Sequence, residues 1–266
     1  MATRGSIAAA GKSLLVRQLS AVDDSLKADP GVSKPTSTRR ISHAALEGAA
    51  LTGSLTLPSD FNLYFGAPLN QQPRTALPGY ADRVPTVLVI LARDMVARKG
   101  LLIEGIFRVT PEMASLKTTK DALNRGDGLL SNVDPVVSAG LIKDFFRSLP
   151  EALLASVPPT VLAELGDAST AGVDAKWNQL LFGSVLSEPQ RSTFVWILDL
   201  MSLVLEEGAT NRMSPSALGV VFAPSLYFTK DMDMSAMNRT KDVQSIVQGA
   251  LEFVMRSPSA RKPLSP

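Results

Sequence analysis

Three cations in two short segments carry the chemistry this chain offers. Arg108 closes Glu104-Gly105-Ile106-Phe107-Arg108 and stands between the glycine at 105 and a helix start at Pro111. Lys143 and Arg147 lie four residues apart in Leu141-Ile142-Lys143-Asp144-Phe145-Phe146-Arg147. A guanidinium keeps its charge when desolvated and points forked donors at two oxygens together, so it suits charge that builds on oxygen atoms. On a loop, as Gly105 and Pro111 imply, it can reach beyond its own surface. Each cation also has a plainer reading: Arg108 as a surface charge at a helix start, and Lys143 with Arg147 as a solvated helix face.

Composition removes most other chemistry. The 266 residues include no cysteine, which rules out disulfides and thiolate metal sites and suits a reducing compartment. The one histidine, His43, falls in a stretch that reads as tail, so the folded region has neither a Ser-His-Asp triad nor a His-rich metal site. Residues 1–57 carry seven Lys/Arg against four Asp/Glu, and the remainder carries 20 against 21. A near-neutral folded part lacks the basic stripe that nucleic-acid binding needs. The longest apolar run, residues 194–205, contains Asp199. It falls short of the roughly 18 residues that a bilayer span requires, and it reads as a core helix.

The elements that position these cations are helical. Val84, Val87, Leu88, Leu91 and Met95 form one apolar stripe, with Arg98-Lys99-Gly100 as a cationic end and glycine stop. Thr110-Pro111-Glu112 opens a second helix to about Asn124, broken by a turn at Arg125-Gly126-Asp127-Gly128. A third covers residues 135–147 and stops before Leu149-Pro150; its period puts Lys143 and Arg147 on one face. Ser187 and Gln190 have capping-box spacing ahead of a stripe through Phe194, Ile197, Leu198, Met201 and Leu205. Ser214-Pro215 opens another helix, with Leu218, Val221 and Phe222 inward, and residues 242–255 make the last. Met113, Met201 and Met213 read as core filler. Strand alternation is hardly visible, and the fold expected is all-α, a helical bundle.

Three regions follow: a disordered, mildly basic N-terminal arm over residues 1–57, one domain over 58–256, and a Pro/Ser-rich tail over 257–266. The acid-free opening, residues 1–21, bears Arg4, Lys12 and Arg17. Mitochondrial presequences and surface-seeking helices share that composition, and a flexible start is the plainer alternative. Weak contact with a membrane surface through the arm stays open on this ground. Arg39-Arg40-Ile41-Ser42 fits an arginine-directed kinase pattern, which makes Ser42 a candidate phosphosite. The tail carries Pro263-Leu264-Ser265-Pro266, too short a PxxP match to identify a partner.

Four segments in order extend the reading: Phe65-Gly66-Ala67-Pro68-Leu69, the segment ending at Arg108, the segment from Leu141 to Arg147 with Ser148-Leu149-Pro150-Glu151 after it, and Val220-Val221-Phe222-Ala223-Pro224-Ser225-Leu226. Together they resemble a Rho GTPase-activating (RhoGAP) domain over roughly residues 60 to 256. The resemblance implies that Arg108 is an arginine finger inserted in trans into a Rho-family small GTPase in its GTP form. GTP and Mg²⁺ would be held by that partner, with no cofactor in this chain and no substrate pocket of its own. It further implies that Lys143 contributes to the GTPase-facing surface, that Arg147 packs behind the finger loop with Gly105 shaping it, and that Ser225 occupies a GTPase-contact position where the family usually has asparagine. The implied setting is cytosolic. Other departures from the family are Asp144 at a usually apolar position, Ser148 for a usual glutamate and Ala152 for a usual proline. The alternative function is a non-catalytic module of the same fold that docks a GTPase or a scaffold.

Overall fold

Helix-forming stretches punctuated by proline and glycine produce the architecture. A computed structural model describes residues 62–256, apart from residues 78, 81, 167–172 and 229–233. The arm with Ser42, and the tail, lie outside the described residues. A short antiparallel pair, β1 (Arg74–Thr75) and β2 (Val84–Pro85), leads into α1 (Thr86–Ala97) and a 3₁₀ turn at Gly100–Leu102. Then come α2 (Met113–Arg125), α3 (Pro135–Ser148), α4 (Pro159–Gly166), α5 (Val173–Phe182) and α6 (Glu188–Glu206). The short α7 (Gly208–Asn211), α8 (Pro215–Leu226) and α9 (Met234–Arg256) complete the order. The fold is all-α, as the periodicity requires.

Local chemistry starts each helix near the site. Glu112 caps α2 by accepting from Ser115 N at 3.0 Å, and Asp134 caps α3 by accepting from Val136 N at 2.7 Å with Pro135 behind it. Ser187 and Gln190 form the expected capping box of α6, and Ser214 caps α8 through Ala217 N at 3.2 Å. The core gathers around α3, whose Val137, Leu141, Ile142, Phe145 and Phe146 are buried. That helix packs against α1, α2 and α8, while α9 lies against α8, α4 and α6.

Several expectations are corrected. The strand pair and the helices α4, α5 and α7 have no clear periodic signal, and α9 starts at Met234 rather than near residue 242. The left-handed residue after α1 is Lys99, φ 58°, not Gly100. Gly100 answers a packing need instead: a Cβ there would fall 2.6 Å from Met95 Cγ and 2.8 Å from Pro135 Cβ. Met201 and Met213 are buried, but Met113 is 65% exposed. It heads α2 beside the loop that bears Arg108, where nothing covers it among the described residues.

Candidate functional site

Between the 3₁₀ turn and α2 the backbone makes a tight, internally bonded turn. Ile106 N donates to Ile103 O at 3.1 Å, and Arg108 N and Val109 N both donate to Gly105 O, at 2.7 and 2.9 Å. Gly105 has φ +67°, a conformation that side chains disfavour. Phe107 also takes a left-handed φ of +70°, which costs a bulky residue about 1–2 kcal/mol. Burial offsets this: Phe107 is 1% exposed and meets the Phe222 ring edge-on at 5.0 Å, while Ile106 beside it is fully buried. Two apolar anchors thus dive into the core, and the next residue, Arg108, emerges exposed. Its guanidinium arches over Gly105, with Nη2 3.2 Å and Nε 3.3 Å from where a Cβ would stand. Among the described residues the Arg108 side chain has no hydrogen bond or ion pair.

Three contacts hold this turn. Asn211, at the end of α7, is wholly buried. Its Nδ2 donates to Leu101 O at 2.9 Å and Val204 O at 2.7 Å, its Oδ1 accepts from Met213 N at 2.8 Å, and its backbone O accepts from Gly105 N at 2.8 Å. At the other end, Pro111 rests on Gly140 of α3, where a Cβ would meet Pro111 Cγ at 2.7 Å. From below, Lys143 Nζ donates to Phe107 O. Nothing local in the sequence distinguishes Asn211 from an ordinary loop residue, since its partners lie 110, 7 and 2 residues away.

The two α3 cations therefore lie differently from what the resemblance implies. Lys143 is half-buried under the loop and supports it; burial lowers its pKa from the ordinary lysine value, and the neighbouring Arg147 lowers it further. Arg147 is exposed one turn further on, with no side-chain partner among the described residues, so it does not pack behind the loop. Ser225 is likewise corrected as a surface contact. It is 1% exposed, on the inward side of α8 with Leu218, Phe222 and Leu226, so its hydroxyl is not offered to a partner.

The remaining departures have local partners. Asp144 accepts an ion pair from Lys120 Nζ at 2.7 Å, and that ammonium also lies 5.3 Å from the centre of the Phe65 ring. Ser148 Oγ accepts from Gly66 N at 3.2 Å and donates to Phe145 O at 2.9 Å, tying the Phe65-Gly66 segment to the end of α3. Asn124 Oδ1 accepts from Tyr64 N and Phe65 N at 3.2 and 2.9 Å, and Phe65 packs edge-on against Phe145. Ala152 is buried. Among the exposed residues flanking Arg108 in the chain are the apolar Leu102, Val109 and Met113, alongside the acidic Glu104 and Glu112. No group of three or more metal-ligating side chains occurs among the described residues, and no described helix is long and apolar enough to cross a membrane.

Comparison with known proteins gives a consistent picture. A family model for the RhoGAP domain matches residues 85–231, more than half of the chain. The Rho GTPase-activating protein gacA of Dictyostelium discoideum is 34% identical over 156 residues, covering 59% of this chain and 42% of the relative. Rho GTPase-activating protein 2 of Arabidopsis thaliana is 29% identical over 205 residues, covering 72% and 45%. Human Rho GTPase-activating protein 11A is 29% identical over 194 residues, covering 71% and 18%. The chain spans less than half the length of each of these three relatives. Among solved structures, that of human Rho GTPase activating protein 15 aligns with a TM-score of 0.59 at 21% identity, over 72% of this chain and 90% of that one. At that identity the likeness is one of fold.

Proposed function

The chain belongs to the RhoGAP domain family, and from that premise we propose that it stimulates GTP hydrolysis by a Rho-type small GTPase in the cytosol, with Arg108 as the cation supplied in trans. Hydrolysis is slow while negative charge building on the transferred phosphoryl group and the leaving oxygen goes uncompensated. An inserted arginine is worth about 10³- to 10⁵-fold in rate, or roughly 4 to 7 kcal/mol of barrier. The observation that carries the reading is the state of Arg108: exposed, without a side-chain partner among the described residues, on a turn pinned by Asn211, Pro111 and Lys143. Such a turn loses little freedom when the guanidinium is placed against an oxygen, which is the condition for an electrostatic contribution of this size. The exposed Leu102, Val109 and Met113 supply apolar surface around it for docking. GTP and Mg²⁺ belong to the partner in this scheme, and the chain holds no cofactor.

The test is single-turnover GTP hydrolysis by a panel of Rho- and Ras-type GTPases with wild type, Arg108→Ala and Arg108→Lys. Wild type is expected to accelerate at least one Rho-type GTPase. Alanine removes most of the acceleration, and lysine restores little because an ammonium cannot repeat the fork. Undiminished stimulation by Arg108→Ala refutes the finger assignment. Binding to the GTP form without acceleration by wild type would instead establish a non-catalytic docking module.

A further inference from the structure

We propose that Thr110 is a phosphorylation site for a proline-directed protein kinase and that its phosphate captures the Arg108 guanidinium and turns the domain off. The proposal rests on the reading of Arg108 as the inserted cation. Arg-Xaa-Ser/Thr-Pro occurs twice among the described residues, as Arg108-Val109-Thr110-Pro111 and Arg212-Met213-Ser214-Pro215. Thr110 and Ser214 are both exposed. Their hydroxyls differ. Ser214 Oγ is occupied as the cap of α8, accepting from Ala217 N at 3.2 Å. The Thr110 hydroxyl makes no hydrogen bond among the described residues.

The backbone suits the same site. A residue before proline is held extended, the form in which a kinase cleft takes its substrate, and α2 begins only at Met113. Pro111 is half-buried on Gly140, so the kinase reads it after residues 109–111 lift from that contact. In the transfer, Thr110 Oγ1 bonds to the γ-phosphorus of ATP and the bond to the bridging oxygen breaks. ADP leaves, and the hydroxyl proton goes to the kinase's base.

Geometry then decides where the new charge acts. Phosphothreonine carries about −1.5 to −2 charges. Two residues of extended chain separate it from Arg108 by at most about 7 Å between Cα atoms, inside the Debye length of about 8 Å. Thr110 lines a surface notch together with Glu112, Ser115 and Asp134. Two carboxylates on that side repel the phosphate, while Arg108 has no competing side-chain partner among the described residues. A guanidinium–phosphate fork would form and hold the finger back.

The experiment treats the full chain with a proline-directed kinase and Mg-ATP, maps the phosphates by mass spectrometry, and follows GTP hydrolysis and the ¹⁵N shift of Arg108 Nε. Site mapping separates Thr110 from Ser214, Ser257 and Ser265, the other Ser/Thr-Pro positions. Phosphate is expected on Thr110. Stimulation should fall about tenfold, the worth of one charge-assisted bond held against insertion, and the Nε resonance should shift. Thr110→Ala keeps wild-type stimulation and loses both responses to the kinase, while Ser214→Ala keeps both. No phosphate on Thr110, when a peptide of residues 104–116 is modified by the same kinase, overturns the proposal. So does a modified protein whose Nε resonance and stimulation are unchanged. If the unmodified protein activates no GTPase, the finger reading fails, and the Nε shift still decides whether phosphate and guanidinium meet.

Discussion

Asn211→Ala is the sharpest probe of how the loop bearing Arg108 is held. The side chain is wholly buried and makes three hydrogen bonds, to Leu101 O, Val204 O and Met213 N. Val204 O keeps a second donor, Glu207 N at 3.2 Å, so its loss is partly made good. Leu101 O and Met213 N lose their side-chain partner. Stranding a buried polar group costs about 1–3 kcal/mol, so the pair amounts to roughly 2–6 kcal/mol. That is a large share of the 5–15 kcal/mol typical of a domain. Urea unfolding followed by circular dichroism should show a lower midpoint at unchanged slope. Per folded molecule, stimulated hydrolysis should also fall, because Leu101 and Gly105 flank the turn that presents Arg108. Asn211→Asp keeps the acceptor for Met213 N but turns an anion toward two carbonyl oxygens. It should be worse than alanine at neutral pH and recover as acid neutralises it, since burial raises a carboxyl pKa. A midpoint for Asn211→Ala within about 0.5 kcal/mol of wild type, the range of an ordinary surface change, would refute the reasoning.

Other substitutions test single contacts. Gly105→Ala forces φ +67° on alanine and sets a Cβ 3.2 Å from Arg108 Nη2; it should lose about 1 kcal/mol after the gain in chain stiffness and lower maximal stimulation, read by thermal melts and single-turnover rates. Lys143→Met should cost about 1–2 kcal/mol by removing the donor to Phe107 O, whereas Arg147→Ala should change stability by less than about 0.5 kcal/mol; equal effects in urea titrations would return both to a solvated face. Because the folded-state pKa of Lys143 is depressed, the unfolded chain binds more protons between that value and 10.5. Wild-type stability relative to Lys143→Met should therefore rise with pH across that window, and a fall there would contradict the burial. Ser225→Asn adds volume to a closed position and should destabilise by about 1–3 kcal/mol; tighter GTPase binding at unchanged stability would mean that the side chain reaches the surface after all.

The long helices were legible because their information is local. Apolar spacing, Pro135 behind the Asp134 cap, Ser187 with Gln190, and Ser214-Pro215 each act within one or two turns, and α2, α3, α6 and α8 stand close to where those signals put them. The short α4, α5 and α7 span 8, 10 and 4 residues, too few for a period to stand out, and tertiary packing supports them. Position 225 was not legible: the sequence pattern turns Leu218, Val221 and Phe222 inward and the resemblance makes Ser225 a GTPase contact, whereas in the fold Ser225 is buried with Leu218 and Phe222 on the inward side of α8.

The sequence by itself determined the family, the helical class and the location of Arg108 on a loop, because each rests on residue order and near-neighbour spacing. Only the tertiary structure decided what that loop rests on. Lys143 and Arg147 share one face, about 6 Å apart along the axis of α3, and no local rule separates them. The carbonyl of Phe107 comes down over the first and leaves the second in water, which makes one a support and the other a free surface charge. Asn211 reaches Leu101 across 110 residues for the same reason. A buried polar side chain takes the partners that folding brings to it, and those partners are distributed in space rather than along the chain.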